Sequence, residues 1–233
     1  MATDAPPDPP HLPDADVVTE ASRLQALAHP LRLRMLGLLR LEGPSTASRL
    51  AQRCGESSGL TSYHLRQLAG AGFVVDADAA DLVGREVRGR DRWWKAASRF
   101  TVTHRPALGG DAEAAASGDY YRAVVDLYAE RARAWLLVEH TWPEQWQASS
   151  SLGDRMLSLT PEEVTALRAD LDGVLARYRQ HDPALPPGTG SVPADAVGVS
   201  LQLQLFPDPE QTPPGPAEPA PHDAGPAGPG PAS

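Results

Sequence analysis

Apolar residues fall three and four apart through most of the chain's first third, a spacing that predicts a run of amphipathic helices. Val17, Ala21, Leu24, Leu27 and Ala28 predict one helix, which His29-Pro30 breaks and restarts. Pro30 suits a first helical position, where its missing N–H is no loss. Leu31, Met35, Leu38 and Leu39 give the next helix a buried stripe, with Arg32, Arg34 and Arg40 expected outside, and Gly43-Pro44 stops it. Ser45 or Thr46 can cap a third, short helix with Ala47, Leu50 and Ala51 inward, ended by Cys54-Gly55. Ser57 or Ser58 can cap a fourth that carries Leu60, Leu65 and Leu68 and closes at Gly70 and Gly72. The period then changes. Phe73-Val74-Val75 starts a strand, Gly84 and Gly89 mark a loop, and Trp93-Trp94-Lys95 reads as the returning strand of a hairpin.

The second half follows a different plan. Thr101 to Gly118 is polar and reads as a linker (101–118). Asp119 to Trp142 predicts a long helix on which Tyr121, Val125, Tyr128, Ala132 and Trp135 alternate in steps of four and three. That is a seam suited to a partner helix, and so a candidate dimer interface. Glu139 interrupts it and Pro143 ends the helix. Met156 to Leu159 reads as a short strand. Thr160-Pro161-Glu162-Glu163 is a helix start, with Thr160 as cap and Glu163 able to bond back to it. Val164, Leu167, Leu171, Val174, Leu175 and Tyr178 then form one apolar face, and Val199, Leu201, Leu203 and Leu205 alternate like a half-buried strand. The pattern predicts a mainly α (α+β) chain: a helix-turn-helix domain with a wing over 17–100, then a dimerisation and regulatory region over 119–206 that ends in a small α/β appendage. Proline-rich segments 1–16 and 207–233 are expected to be disordered.

Charge sharpens this picture. The whole chain carries a formal −9. Glu20 to Phe100, however, holds 13 Lys+Arg against 8 Asp+Glu, a local +5, while the remainder sums to −14. A basic segment between acidic flanks suits a polyanionic partner. A reading helix enters the major groove with small polar residues near its N-terminus. Ser58, Thr61 and Ser62 supply hydroxyls there, Tyr63 and Arg66 project outward, and His64 is placed to bond a phosphate. Arg66 is the candidate for a bidentate guanine contact. Arg85, Arg88, Arg90 and Arg92 lie on the hairpin, where they suit the DNA backbone or the minor groove. Trp93 and Trp94 alternate across a strand, so one is expected to pack inward and the other to brace the wing.

Three stretches at these positions resemble the ArsR/SmtB-type winged-helix regulators. They are Leu27-Ala28-His29-Pro30-Leu31-Arg32, then Ser62-Tyr63-His64-Leu65-Arg66-Gln67-Leu68 with Ala71-Gly72-Phe73-Val74, and finally Gly89-Arg90-Asp91-Arg92-Trp93-Trp94-Lys95-Ala96. The similarity covers residues 17 to 100 and is nearest to a metal-independent branch. More weakly, the helix from Thr160 resembles that branch's C-terminal region. The resemblance implies dimeric, sequence-specific transcriptional control through the fourth helix, with double-stranded DNA as partner. Cys54 is the chain's one cysteine, so the thiolate pair of metal-sensing members is missing. No metal and no cofactor are expected. Cys54 reads as a packed small hydrophobe.

Other classes fit less well. The chain shows no Ser/His/Asp order and no Gly-rich phosphate loop, so it does not read as an enzyme. The alternative is a winged-helix interaction module without DNA binding, which the acidic flanks would suit. Tyr120, Tyr121, Tyr128, Trp135, Trp142 and Trp146 are candidates to line a pocket for a small-molecule effector. Without a signal peptide or a long apolar run, the expected location is the cytoplasm.

Overall fold

A computed structural model describes residues 15–18, 20–87, 91–103, 111–185 and 187–212. Of the ends expected to be disordered, 1–16 and 207–233, residues 1–14 and 213–233 lie outside the described residues, whereas Ala15 and Asp16 belong to a strand. In chain order the elements are β1 (Ala15–Val18), α1 (Ala21–Leu27), α2 (Pro30–Glu42), β2 (Ser45–Thr46), α3 (Ala47–Cys54), α4 (Ser58–Gly70), β3 (Val74–Asp76), β4 (Trp93–Ala96), β5 (Phe100–Thr103), α5 (Asp111–Val138), α6 (Glu144–Ser149) and α7 (Pro161–Leu175). A 3-10 turn, Glu139–Thr141, follows α5. The protein is mainly helical with some sheet.

Local chemistry sets most boundaries. His29 caps α2 by accepting the Leu31 N–H on Nδ1 at 3.2 Å, and Pro30 follows as the first helical residue. Thr46 caps α3 through the Arg49 N–H, and Ser57 caps α4 through the Leu60 N–H at 3.2 Å. Gly55, at φ +73°, takes the left-handed turn that ends α3 and aims the chain into α4. Thr160 and Glu163 form the reciprocal capping box at the start of α7.

The core lies between α1, α2, α4 and α5. Leu24, Leu27, Met35, Leu36, Leu39, Leu65, Leu68 and Phe73 are almost completely buried in it. Each large side chain withdrawn from water in this way contributes about 1.5–3 kcal/mol. A three-stranded antiparallel sheet, ordered β2-β4-β3, closes one side, with Asp76 and Ser45 flanking Trp94. The predicted hairpin is thus present as β3 and β4, and β2 adds an edge that its two residues alone do not announce.

Several expectations are corrected. Val17 lies in strand β1, which pairs in parallel with β5 in a register that sets Val17 opposite Val102. The pairing of residues more than 80 positions apart overrides the local helical spacing. The expected linker 101–118 is β5 at one end and helix from Asp111 at the other. Tyr120 and Ala123 of α5 are buried in the core against α1 and α2, and Ala116 is buried as well. No strand forms at Met156–Leu159 or at Val199–Leu205, and their apolar side chains are largely exposed. Neither stretch has a neighbouring strand to satisfy its backbone, so the α/β appendage is absent and α7 stands as a helix with an open apolar face. Leu60 is also turned outward, at the first turn of α4, and Arg40 is turned inward.

Candidate nucleic-acid interface

Helix α4 turns Thr61, His64, Leu65 and Leu68 inward, all buried. This inward stripe fixes which residues face outward. Ser58, Ser62 and Arg66 follow one another at four-residue steps, and Gly59, Tyr63 and Gln67 form a parallel row beside them. Ser58, Gly59, Arg66 and Gln67 are exposed, Tyr63 is half-exposed and Ser62 half-buried. The Arg66 side chain makes no hydrogen bond or ion pair to any described residue, so its five donors point to solvent. Gln67 was not singled out from the sequence. Its spacing of four from Tyr63 was the available signal.

Two predicted contact residues belong to the interior instead. The Thr61 hydroxyl is fully buried, 2.9 Å from the Ala47 carbonyl and within 3.2 Å of the Ser57 and Ser58 carbonyls. It ties α4 to the start of α3 and has no path to a base edge. His64 is 4% exposed, with its ring 4.3 Å from that of His29 and its Nδ1 3.5 Å from Arg32 Nη1. It cannot reach a phosphate while α4 is seated. Burial holds both imidazoles below the usual histidine value, with Arg32 adding to the effect.

The wing loop lies between β3 and β4. Arg88 and Arg90 fall outside the described residues. Arg85 folds back to the C-terminal end of α2 and donates to the Glu42 carbonyl at 2.6 Å, a position that suits a cation. Arg92 forms a two-pronged pair with Asp76, at 2.6 and 2.9 Å, and its guanidinium lies 3.9 Å from the Trp94 ring centroid. Lys95 is paired with Asp81 at 2.6 Å. The wing cations seen here are therefore partly neutralised by the fold. Both tryptophans turn inward: Trp94 enters the core, and Trp93 packs under Arg49 with 4.7 Å between guanidinium carbon and ring centroid. Arg49 also donates to the Glu86 carbonyl at 2.9 Å, which links α3 to the wing.

An open cleft of about 580 Å³ runs between the end of α2, the wing loop and the turn after β4. Its cations are committed. Arg40 donates to the Ser98 carbonyl and to the Ser98 and Thr101 hydroxyls, and burial lowers its pKa to about 10. Arg99 pairs with Asp182 at 3.0 Å.

The aromatic set proposed for an effector is split. Tyr120 and Tyr121 touch each other near the core end of α5, with ring centroids 5.4 Å apart. Trp135, Trp142 and Trp146 form a separate edge-to-face chain at the far end, at 5.6 and 6.2 Å. Along the predicted dimer seam, Tyr121 packs against the core and Val125 is half-exposed, while Tyr128, Ala132 and Trp135 are half-buried. Cys54 is half-buried, and burial raises its thiol pKa. Among the described residues no group of three His, Cys, Asp or Glu side chains is placed to hold a metal ion, and no helix is long and apolar enough to cross a membrane.

Residues 27–76, from the last residue of α1 to the last of β3, match a family of helix-turn-helix domains. The match takes in both helices of the motif and the turn at Gly55, and it supports a DNA-binding regulator. No curated protein is similar enough in sequence to register as a relative.

Proposed function

We propose that this protein is a sequence-specific transcriptional regulator of the ArsR type, from a branch that needs no metal, and that it acts as a dimeric repressor. The observation that carries the reading is the outward face of α4. Hydroxyls at Ser58 and Ser62, the phenol of Tyr63 and the exposed Arg66 share one side of a helix whose other side is locked into the core. This is the arrangement that lays base-reading groups in a major groove about 12 Å wide. Arg66 is assigned to a guanine edge and Ser58 to the backbone. Arg85, Arg88, Arg90 and Arg92 are assigned to the wing's approach to phosphates or the minor groove.

Dimerisation follows from the geometry of reading. One such helix covers few base pairs, and two helices about 34 Å apart cover two half-sites. The half-buried row Tyr121, Val125, Tyr128, Ala132 and Trp135 is the proposed contact between copies. A small-molecule effector would then work by changing the spacing of the two α4 helices.

The test is a selection of bound fragments from the native genome, followed by titration of the best fragment with wild-type and Arg66→Ala protein. Loss of one bidentate contact should cost about 1–3 kcal/mol and relax preference at a single base pair. Unchanged affinity would remove Arg66 from the reading set. Full-length protein that ignores duplex DNA at low salt would overturn the function.

A further inference from the structure

We propose that His29 and His64 form an acid-sensitive latch beneath α4, so that protonation of either imidazole unseats the helix and weakens DNA binding. The functional half rests on the DNA-binding role proposed above. The latch itself rests on which atoms already serve as acceptors. His29 Nδ1 accepts the Leu31 N–H that caps α2, so its proton sits on Nε2. Arg32 Nη1 can only donate, so His64 Nδ1, 3.5 Å away, is an acceptor as well. Both rings are therefore neutral in the seated state, by assignment from their partners. A proton on either Nδ1 would set donor against donor.

The surroundings sharpen the effect. The two rings are 4.3 Å apart, His64 is almost fully enclosed, and the Tyr63 ring meets it edge-on at 5.1 Å. The charges acting on His64 are His29, the cap of α2, and Arg32 on α2, which oppose a proton, and Glu56 in the turn before α4, which favours one. Among the described residues no charge from α1, α3 or β3 acts on it. Arg32 is held in place by the Gln25 and Ala26 carbonyls at the end of α1, so it cannot swing away at no cost. Glu56 is exposed and screened by water.

The consequence has a sign opposite to plain electrostatics. Acidification makes a protein more positive and so tightens its grip on phosphate. A latch predicts the reverse. The folded imidazoles titrate below the unfolded value of 6.5, so their contribution is fully present above 6.5 and is lost as pH falls from there through the lower folded values.

The experiment uses the full-length chain and a random-sequence duplex of about 40 base pairs, at about pH 7.5 and about pH 5.5. Coupling of proton uptake to duplex release should lower affinity at least about fivefold on acidification. Amide exchange in α4 (Leu65 to Leu68) should accelerate more than that of Tyr120 to Val124 in α5. The double variant H29S/H64Q keeps an α2 cap and an acceptor for Arg32 but cannot titrate, so it should flatten both responses. If that variant fails to fold, wild-type imidazole titration by NMR decides: midpoints at or above 6.5 for both rings overturn the latch. Affinity that is constant or tighter at the lower pH, with α4 exchange unchanged, also overturns it. Protein that binds no duplex at either pH overturns the DNA-binding role and the functional half of the proposal, while α4 exchange still decides the latch.

Discussion

Arg92 and Asp76 face each other across the base of the wing, with Nε and Nη2 of the guanidinium 2.6 and 2.9 Å from the two carboxylate oxygens. Asp76 is the last residue of β3 and sits opposite Trp94 in the ladder, so the pair braces both strands where the loop leaves them. Its position also takes a cation away from DNA. The Arg92 bond holds the Asp76 carboxyl below the usual carboxylate range, so the pair stays closed at neutral pH.

Opening this pair should therefore show in the salt dependence of binding. Asp76→Asn removes the competing carboxylate and leaves Arg92 for a phosphate. The slope of log affinity against log salt should steepen by about one, with little change in sequence preference. Filter binding across a salt series measures it. An unchanged slope would place Arg92 off the DNA path.

Thr61 was expected at the interface and lies in the core, so its replacement separates stability from recognition. Thr61→Val keeps the shape but loses the hydrogen bond that joins α4 to the Ala47 carbonyl. Urea unfolding should show a loss of about 1 kcal/mol. The preferred DNA sequence should stay the same in a fragment selection. A shift in preferred bases would return the hydroxyl to the reading face.

The proposed contact between copies includes Val125, half-exposed on α5. A carboxylate there would face its own symmetry mate in a two-fold interface. Val125→Glu should convert the assembly to a single chain of 24.8 kDa. Light scattering at micromolar concentration reads this directly. Wild-type protein that already runs at that mass would disprove the seam.

Tyr120 gives a pH prediction at the alkaline end. Burial raises its phenol to about 12, with Tyr128 and Tyr121 adding to the shift and Arg40 opposing it. A folded value above the ordinary one means that the stabilisation is complete below pH 10 and is lost as pH rises toward 12. Thermal unfolding in that window should drop in midpoint, and Tyr120→Phe should lessen the drop. An equal drop in the variant would assign the effect to another group.

Several of these expectations depend on what could be read before any tertiary contact was known. Helices α2, α3 and α4 and the β3–β4 hairpin were legible because their signals are local: caps at Thr46 and Ser57, a left-handed glycine at Gly55, and a change of period at Phe73. The inward turn of Thr61 was missed. It shares helical spacing with Leu65 and Leu68, but its polar type disguised it. The strands expected around α7 failed because alternation marks only a surface that can be half-buried, and no partner strand comes to meet it.

Sequence alone determined the period of each segment, the caps that start and stop the helices, and the run of small polar and basic residues that α4 carries outward. Tertiary structure decided what those residues are free to do. It bent Arg92 onto Asp76, enclosed His64 against His29, drew Val17 into a strand with Val102 and left Arg66 without a partner among the described residues. The physical reason is range. Periodicity and capping act within a few residues of each other, whereas an ion pair, a buried ring or a strand partner depends on groups brought together from distant parts of the chain.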